Sequence, residues 1–209
     1  MMAEKPILFS GEMVRAILEG RKTQTRRVIK PQPVVPKWTG IDWAEVGADN
    51  TIHRRIKCPY GRPGDLLWVR ETWSGSTESG YVYKPSEGQR IWYRADNNRP
   101  TWADGRWRPS IFMPRWASRI TLRVTDVHVE RVQDISEADA IAEGIERAET
   151  ARGETLNWDY DIEDFPDPRL FDPVDSFQTL WDLINAKRGF GWDVNPWVWA
   201  VTFEVVQHG

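Results

Sequence analysis

The alternation of apolar and polar positions divides the chain into short segments. Pro6 to Phe9 predicts a strand, and Ser10 then stands as a helix N-cap ahead of Met13, Val14, Ile17 and Leu18 at helical spacing. Gly20 ends that helix as the residue after its cap. The segment Arg21 to Ile29 leaves the helix directly. If extended, it places Thr23, Thr25 and Arg27 on one side and Lys22, Gln24 and Arg26 on the other, so its lysine and threonine need a bend to converge. Pro31, Pro33 and Pro36 then interrupt regular structure, and the stretch to Pro63 lacks sustained periodicity, which predicts an insertion or long loop.

Gly64-Asp65 signals a turn into the strand Leu66-Leu67-Trp68-Val69, which ends in Arg70-Glu71-Thr72-Trp73. Residues 74–90 are rich in Gly, Ser and Pro and read as an excursion before a strand at Ile91 to Ala95, and a Trp/Arg-rich loop runs to Pro114. From Arg119 to Val132 the alternation Ile120, Leu122, Val124, then Val127, Val129 predicts a long strand with a bulge near Asp126. Ser136 caps the next helix, with Asp139 in an acidic variant of the capping box, and Gly144 stops it. The acidic stretch 146–171 reads as loop. Asp172-Pro173 opens a helix with the stripe Phe177, Leu180, Trp181, Ile184, and Trp197 to Val206 closes the pattern as a strand. No internal repeat is visible.

Composition narrows the function classes. No apolar run approaches the roughly eighteen residues needed to span a bilayer, and the opening MMAEKPILF lacks the layout of a secretory signal, so a cytoplasmic protein is expected. Cys58 is the only cysteine and His53, His128 and His208 are scattered, so neither a metal site nor another cofactor is expected. The net charge of −3 argues against non-specific binding to a nucleic-acid backbone but leaves room for a local basic patch. Thirteen tryptophans, many beside arginine as in Trp68-Val69-Arg70 and Arg106-Trp107-Arg108, suit base stacking, although most tryptophans serve as packing.

The segment with chemical content is Gly20-Arg21-Lys22-Thr23-Gln24-Thr25-Arg26-Arg27, where a lysine stands three residues before a hydroxyl at a helix-to-strand switch. Gly20, Lys22, Thr25 and Arg27 fill a Gly-x-Lys-x-x-(Glu or Thr)-x-Arg pattern that resembles the signature of the ASCH family. Gly64-Asp65-Leu66-Leu67, the helix entry Asp134-Ile135-Ser136-Glu137 and the apolar last strand add to the resemblance, which spans nearly the whole chain. It implies an α+β fold, a PUA-like β-barrel with flanking short helices, as one domain over residues 1–209 with insertions around 31–63, 74–114 and 146–171. Thr25 makes the chain similar to small ASCH enzymes that hydrolyse N4-acetylcytidine. The long Trp/Arg-rich insertions resemble longer members found among phage and prophage genes.

The resemblance implies three catalytic residues: Lys22 as base, Thr25 as nucleophile and Glu143, just before Gly144, as the carboxylate that orients Lys22 or passes a proton. Glu71 is the reserve carboxylate. Arg21, Arg26, Arg27, Arg70, Glu71 and Trp73 are the candidate substrate-binding residues. Lys22 would have its pKa lowered by burial and by Arg21, Arg26 or Arg27, and backbone N–H groups after Gly20 would hold the oxyanion. The expected ligand is a nucleoside or nucleobase, free or within RNA or modified DNA. Two readings compete with the amidohydrolase: a non-catalytic reader of RNA or a modified base using the same pocket, and a structural role in a phage particle.

Overall fold

A computed structural model describes residues 4–40, 42–75, 91–99, 106–149, 155–158 and 172–208. In chain order the elements are β1 (Glu4–Leu8), α1 (Gly11–Leu18), β2 (Gln24–Val28), β3 (Pro36–Trp38), β4 (Trp43–Val46), β5 (Ile52–Ile56), β6 (Leu66–Arg70), β7 (Trp73–Gly75) and β8 (Ile91–Tyr93). Then follow β9 (Ile120–Arg131), α2 (Glu137–Ala142), β10 (Glu146–Glu149), β11 (Thr155–Trp158), α3 (Pro173–Asn185) and β12 (Trp197–His208). The mixture is α+β, with helices few and several sheets. Among the described residues no helix is long and apolar enough to cross a membrane.

A five-stranded sheet in the order β1-β6-β9-β12-β2 organises the molecule. Only β1 and β6 run parallel; β6, β9, β12 and β2 pair antiparallel. The period-2 alternation of β12 serves both faces. Trp199, Val201 and Phe203 enter a core with Ile7, Val14, Ile17, Leu67, Leu122 and Val124, beneath α1. Val198 instead joins Phe177, Leu180 and Trp181 of α3 and Ala140 of α2 on the opposite side. The register of β9 against β12 shifts between Thr202 and Phe203, which pair with Asp126 and Val124, so Thr125 is the extra residue of the bulge expected at this point.

β1 and β2 are the sheet's two edges, and among the described residues no backbone ladder joins them into a closed barrel. A side chain spans that seam: Arg27 Nη2 donates to the carbonyl of Leu8 at 2.7 Å, and its guanidinium lies 5.1 Å from the Phe9 ring centre.

Three expectations need correction, and the first falls at 146–171: read as loop, it holds β10 and β11 paired antiparallel. The stretch 31–63 is not one long loop: β3, β4 and β5 form a three-stranded antiparallel sheet. Its strands are too short for sustained alternation, and Trp38 and Trp43, paired across it with ring centres 5.9 Å apart, supply the cross-strand contact. The strand expected at Ile91 to Ala95 stops at Tyr93, because Arg94–Asp96 turns into a 3₁₀ helix. The greater parts of 74–90 and 150–171 lie outside the described residues.

Leu122 is fully buried on β9 between β6 and β12. Leu122→Ala is expected to lower unfolding free energy in urea by about 2–5 kcal/mol. Leu183→Ala, at a side 68% exposed, should change it by less than about 0.5 kcal/mol. Equal losses would contradict this placement of the core.

Candidate functional site

The site forms where the C-terminal ends of α1 and α2 meet. Ser10 caps α1, and Ser136 caps α2 by accepting from the Asp139 N–H. Each helix ends in a glycine of left-handed conformation, Gly20 at φ 74° and Gly144 at φ 98°. After Gly20 the backbone folds back: the N–H groups of Arg21 and Lys22 both donate to the carbonyl of Ala16, and Thr23 donates to Ala142 of α2. Arg21 Nη1 also donates to the carbonyl of Gly144 at 3.0 Å. This turn is the bend that Lys22 requires. It also corrects one expectation: the N–H groups of residues 20–23 are all used within the fold, so they do not form an oxyanion hole.

Lys22 is buried, and its Nζ donates at 2.6 Å to both the Glu143 carboxylate and the Glu143 main-chain carbonyl. The carboxylate's other oxygen lies 3.4 Å from Arg26 Nη1. Arg26 is held in turn by Glu130 at 2.6 Å and by the Gln24 side-chain oxygen at 3.0 Å, while its Nη2 stands 3.5 Å from Asp139. Glu143, fixed only by the end of a short helix, is thus the carboxylate that meets Lys22. Burial pushes the Lys22 pKa below 10.5; Glu143 opposes that shift, and Arg27 and Arg26 add to it. Arg21 acts elsewhere, bound to Glu19 and Gly144.

Thr25 is buried on β2 and borders a cavity of about 310 Å³ along the free edge of that strand. Arg26 and Arg27 border it too, as do Tyr60 and, from α3 and the turn after it, Trp181, Asn185 and Arg188. No hydrogen bond joins Lys22 to Thr25 in this ligand-free arrangement. Tyr60, Asn185 and Arg188 were not singled out in the sequence. The only signal for them was position, Tyr60 just before the Gly61 turn and Asn185 and Arg188 at the end of the α3 stripe, and that identifies no ligand contact.

Among the described residues the side chains of Arg70, Glu71 and Trp73 form no hydrogen bond or ion pair with this group, although the Arg70 carbonyl accepts from Phe9, whose ring lies 5.1 Å from Arg27. Glu71 is buried in a two-point ion pair with Arg119, at 3.0 and 3.1 Å, and Arg119 also reaches Asp96. Burial raises the Glu71 pKa while Arg119 holds it down. Trp73 is buried edge-on against Trp116, and Arg70 donates to the carbonyl of Ile111. Arg70 and Arg115 lie over the Trp68 ring and Arg131 over the Trp197 ring. A second cavity of about 340 Å³ lies between the small sheet and the main one, bordered by Trp38, Trp43, Cys58 and Trp199.

No family model matches the chain, and no curated protein matches it. Among solved structures it is similar to a crystal structure of an Enterococcus faecalis V583 protein described under the family DUF984. The identity is 11%, covering 100% of this chain and 83% of that one, with a TM-score of 0.42. At that level of likeness neither fold nor activity transfers.

Two outcomes follow from the charge geometry. Glu143→Leu leaves Lys22 buried without its counter-ion and should cost about 3–5 kcal/mol in chemical denaturation, whereas Lys22→Met combined with Glu143→Leu should restore most of the loss. If the double variant is as unstable as the single one, the pair is not what holds the two helix ends. His128 lies between Glu130, whose hydrogen bond contributes most, and Asp126, and its pKa is raised to about 9. Its folded value exceeds the unfolded one near 6.5, so its contribution to stability is complete below that pH and disappears as pH rises through about 9. An NMR titration of His128 with a midpoint near 6.5 would refute this.

Proposed function

We propose that this chain is an ASCH-type, PUA-like protein in which Lys22, Thr25 and Glu143 hydrolyse an amide on the exocyclic amine of a cytosine nucleoside, of the N4-acetylcytidine kind. The observation that carries the reading is the buried Lys22–Glu143 pair, 2.6 Å apart, three residues before a threonine that borders a cavity of about 310 Å³. A lysine withdrawn from water and kept near two arginines is a better base than an exposed one, and lone surface lysines have no need of such an arrangement. The cavity falls within the size range of small-molecule sites.

In the proposed reaction, neutral Lys22 takes the proton of the Thr25 hydroxyl while Thr25 Oγ1 attacks the amide carbonyl. The tetrahedral intermediate collapses with departure of the cytosine amine, to which Lys22 returns the proton, leaving acyl-Thr25. Water activated by Lys22 then releases the carboxylate product. Glu143 orients Lys22, which must exchange one of its two Glu143 contacts for Thr25 when ligand binds; catalytic hydrogen bonds commonly tighten only in the complex. Oxyanion donors in this scheme come from Arg27 and from backbone N–H groups at the free edge of β2. The missing Lys22–Thr25 hydrogen bond favours the second reading, a non-catalytic reader of a modified base in the same cavity.

Incubation of the purified protein with N4-acetylcytidine, followed by chromatography, distinguishes the two. Turnover is expected, rising with pH as Lys22 loses its proton, and Thr25→Ala and Lys22→Met should each reduce it by at least about 10²–10⁴-fold with the fold intact by circular dichroism. A folded wild type that does not hydrolyse this amide would leave the reader.

A further inference from the structure

The cavity beside Thr25 is basic, in a chain whose net charge is −3. Arg27, Lys30 and Arg188 all border it, brought from β2, from just beyond β2 and from the 3₁₀ turn Ala186–Arg188 after α3. Several other arginines sit against carboxylates, Arg54 on Glu45, Arg55 on Asp42, Arg115 on Glu4 and Arg123 on Glu204, whereas Arg70 and Arg131 donate to main-chain carbonyls. Among the described residues the three cavity cations form no ion pair. Arg27 spends one nitrogen on the Leu8 carbonyl, and its Nε is buried with no hydrogen-bond partner. The Lys30 ammonium lies 4.8 Å from the Phe190 ring centre, which places it beside the turn that carries Arg188. Both Lys30 and Arg188 are exposed and border the cavity.

The rest of the cavity is suited to a ring. Met13, Phe177, Leu180 and Trp181 give it an apolar floor, and Asn185 is a buried polar residue on its wall. Among the described residues the Asn185 side-chain amide makes no hydrogen bond. A carboxamide offers one acceptor and two donors, the complement required by the edge of a pyrimidine base.

We propose that the ligand of this cavity carries a phosphate, held at the entrance by Lys30 and Arg188 with Arg27 behind them, so that the site acts on a cytosine nucleotide in preference to the uncharged nucleoside. The proposal rests on the nucleoside reading above and extends it to the charge of the ligand. Unpaired guanidinium and ammonium groups around one cavity keep a positive potential that a carboxylate partner would cancel, and arginine matches phosphate oxygens with its planar donors. The phosphate is either that of a free nucleotide or one within an RNA strand.

Calorimetric titration of the full chain with CMP and with cytidine tests this without any requirement for turnover. CMP is expected to bind at least about tenfold more tightly, in keeping with hydrogen bonds to charged groups. Lys30→Gln combined with Arg188→Gln should bring the CMP-to-cytidine ratio close to one. Arg123→Gln, which removes a charge from the remote Glu204 pair, should leave that ratio as it is. Equal binding of CMP and cytidine by the wild type, or a preference that survives the double substitution, overturns the proposal. A short single-stranded RNA with one central cytidine separates the sources: tighter binding than CMP, lost in the same double variant, assigns the phosphate to a strand, and binding no tighter than CMP assigns it to the free nucleotide. If CMP is preferred but N4-acetylated nucleoside and nucleotide both survive incubation intact, the hydrolase reading fails and the phosphate site stands.

Discussion

The ion pair between Lys22 and Glu143 joins two helix ends that hydrogen bonds from Thr23 to Ala142 and from Arg21 to Gly144 also hold together. Both α1 and α2 terminate in left-handed glycines with carbonyls in need of donors, and the backbone of residues 21–23 supplies donors to each. Lys22 adds an ammonium at the end of α2, where the partial charge of the helix terminus is negative. The position also has a cost. Two charges removed from water are stabilised only when well partnered, and here the carboxylate has both oxygens engaged and the ammonium has two acceptors.

That pair is one end of a chain of alternating charge running across the sheet. Lys22 meets Glu143, Glu143 meets Arg26, Arg26 meets Glu130, and Glu130 meets His128. Burial decreases along the series, from a Lys22 side chain with no exposure to a His128 side chain 40% exposed. The buried end therefore interacts through a weakly screening medium, whereas the His128 end is moderated by solvent.

Much of this organisation was legible in the sequence wherever the determinant is local. Ser10 and Ser136 as caps, Gly20 and Gly144 as terminators, the change of phase that produces the Thr125 bulge, and the α3 stripe all depend on residues within a few positions of one another. Glu143 was implied by the resemblance rather than by any local pattern, and its carboxylate lies 2.6 Å from Lys22 Nζ. The small sheet of β3, β4 and β5 left no comparable trace, because strands of three to five residues are too short to establish a period. The cavity was invisible for a different reason. Tyr60, Asn185 and Arg188 come together only because β2 is an edge strand with α3 beside it, a fact of topology that no local pattern contains.

An edge strand that borders a cavity brings a further constraint. β2 has β12 on one side only, so half of its main-chain groups face the cavity rather than another strand. Left open, such an edge invites pairing with any extended segment. Here the two arginines of β2 occupy the surroundings: Arg27 crosses to Leu8 of β1 and Arg26 anchors to Glu130 of β9. Bulky charged side chains at an edge discourage strand addition, while the gap they frame remains wide enough for a small molecule. Arg27 thus both bridges the open seam of the sheet and adds its charge to the cavity, whereas the charge of Arg26 is met by Glu130 and Glu143. The site's electrostatics and the fold's incomplete closure therefore share one residue.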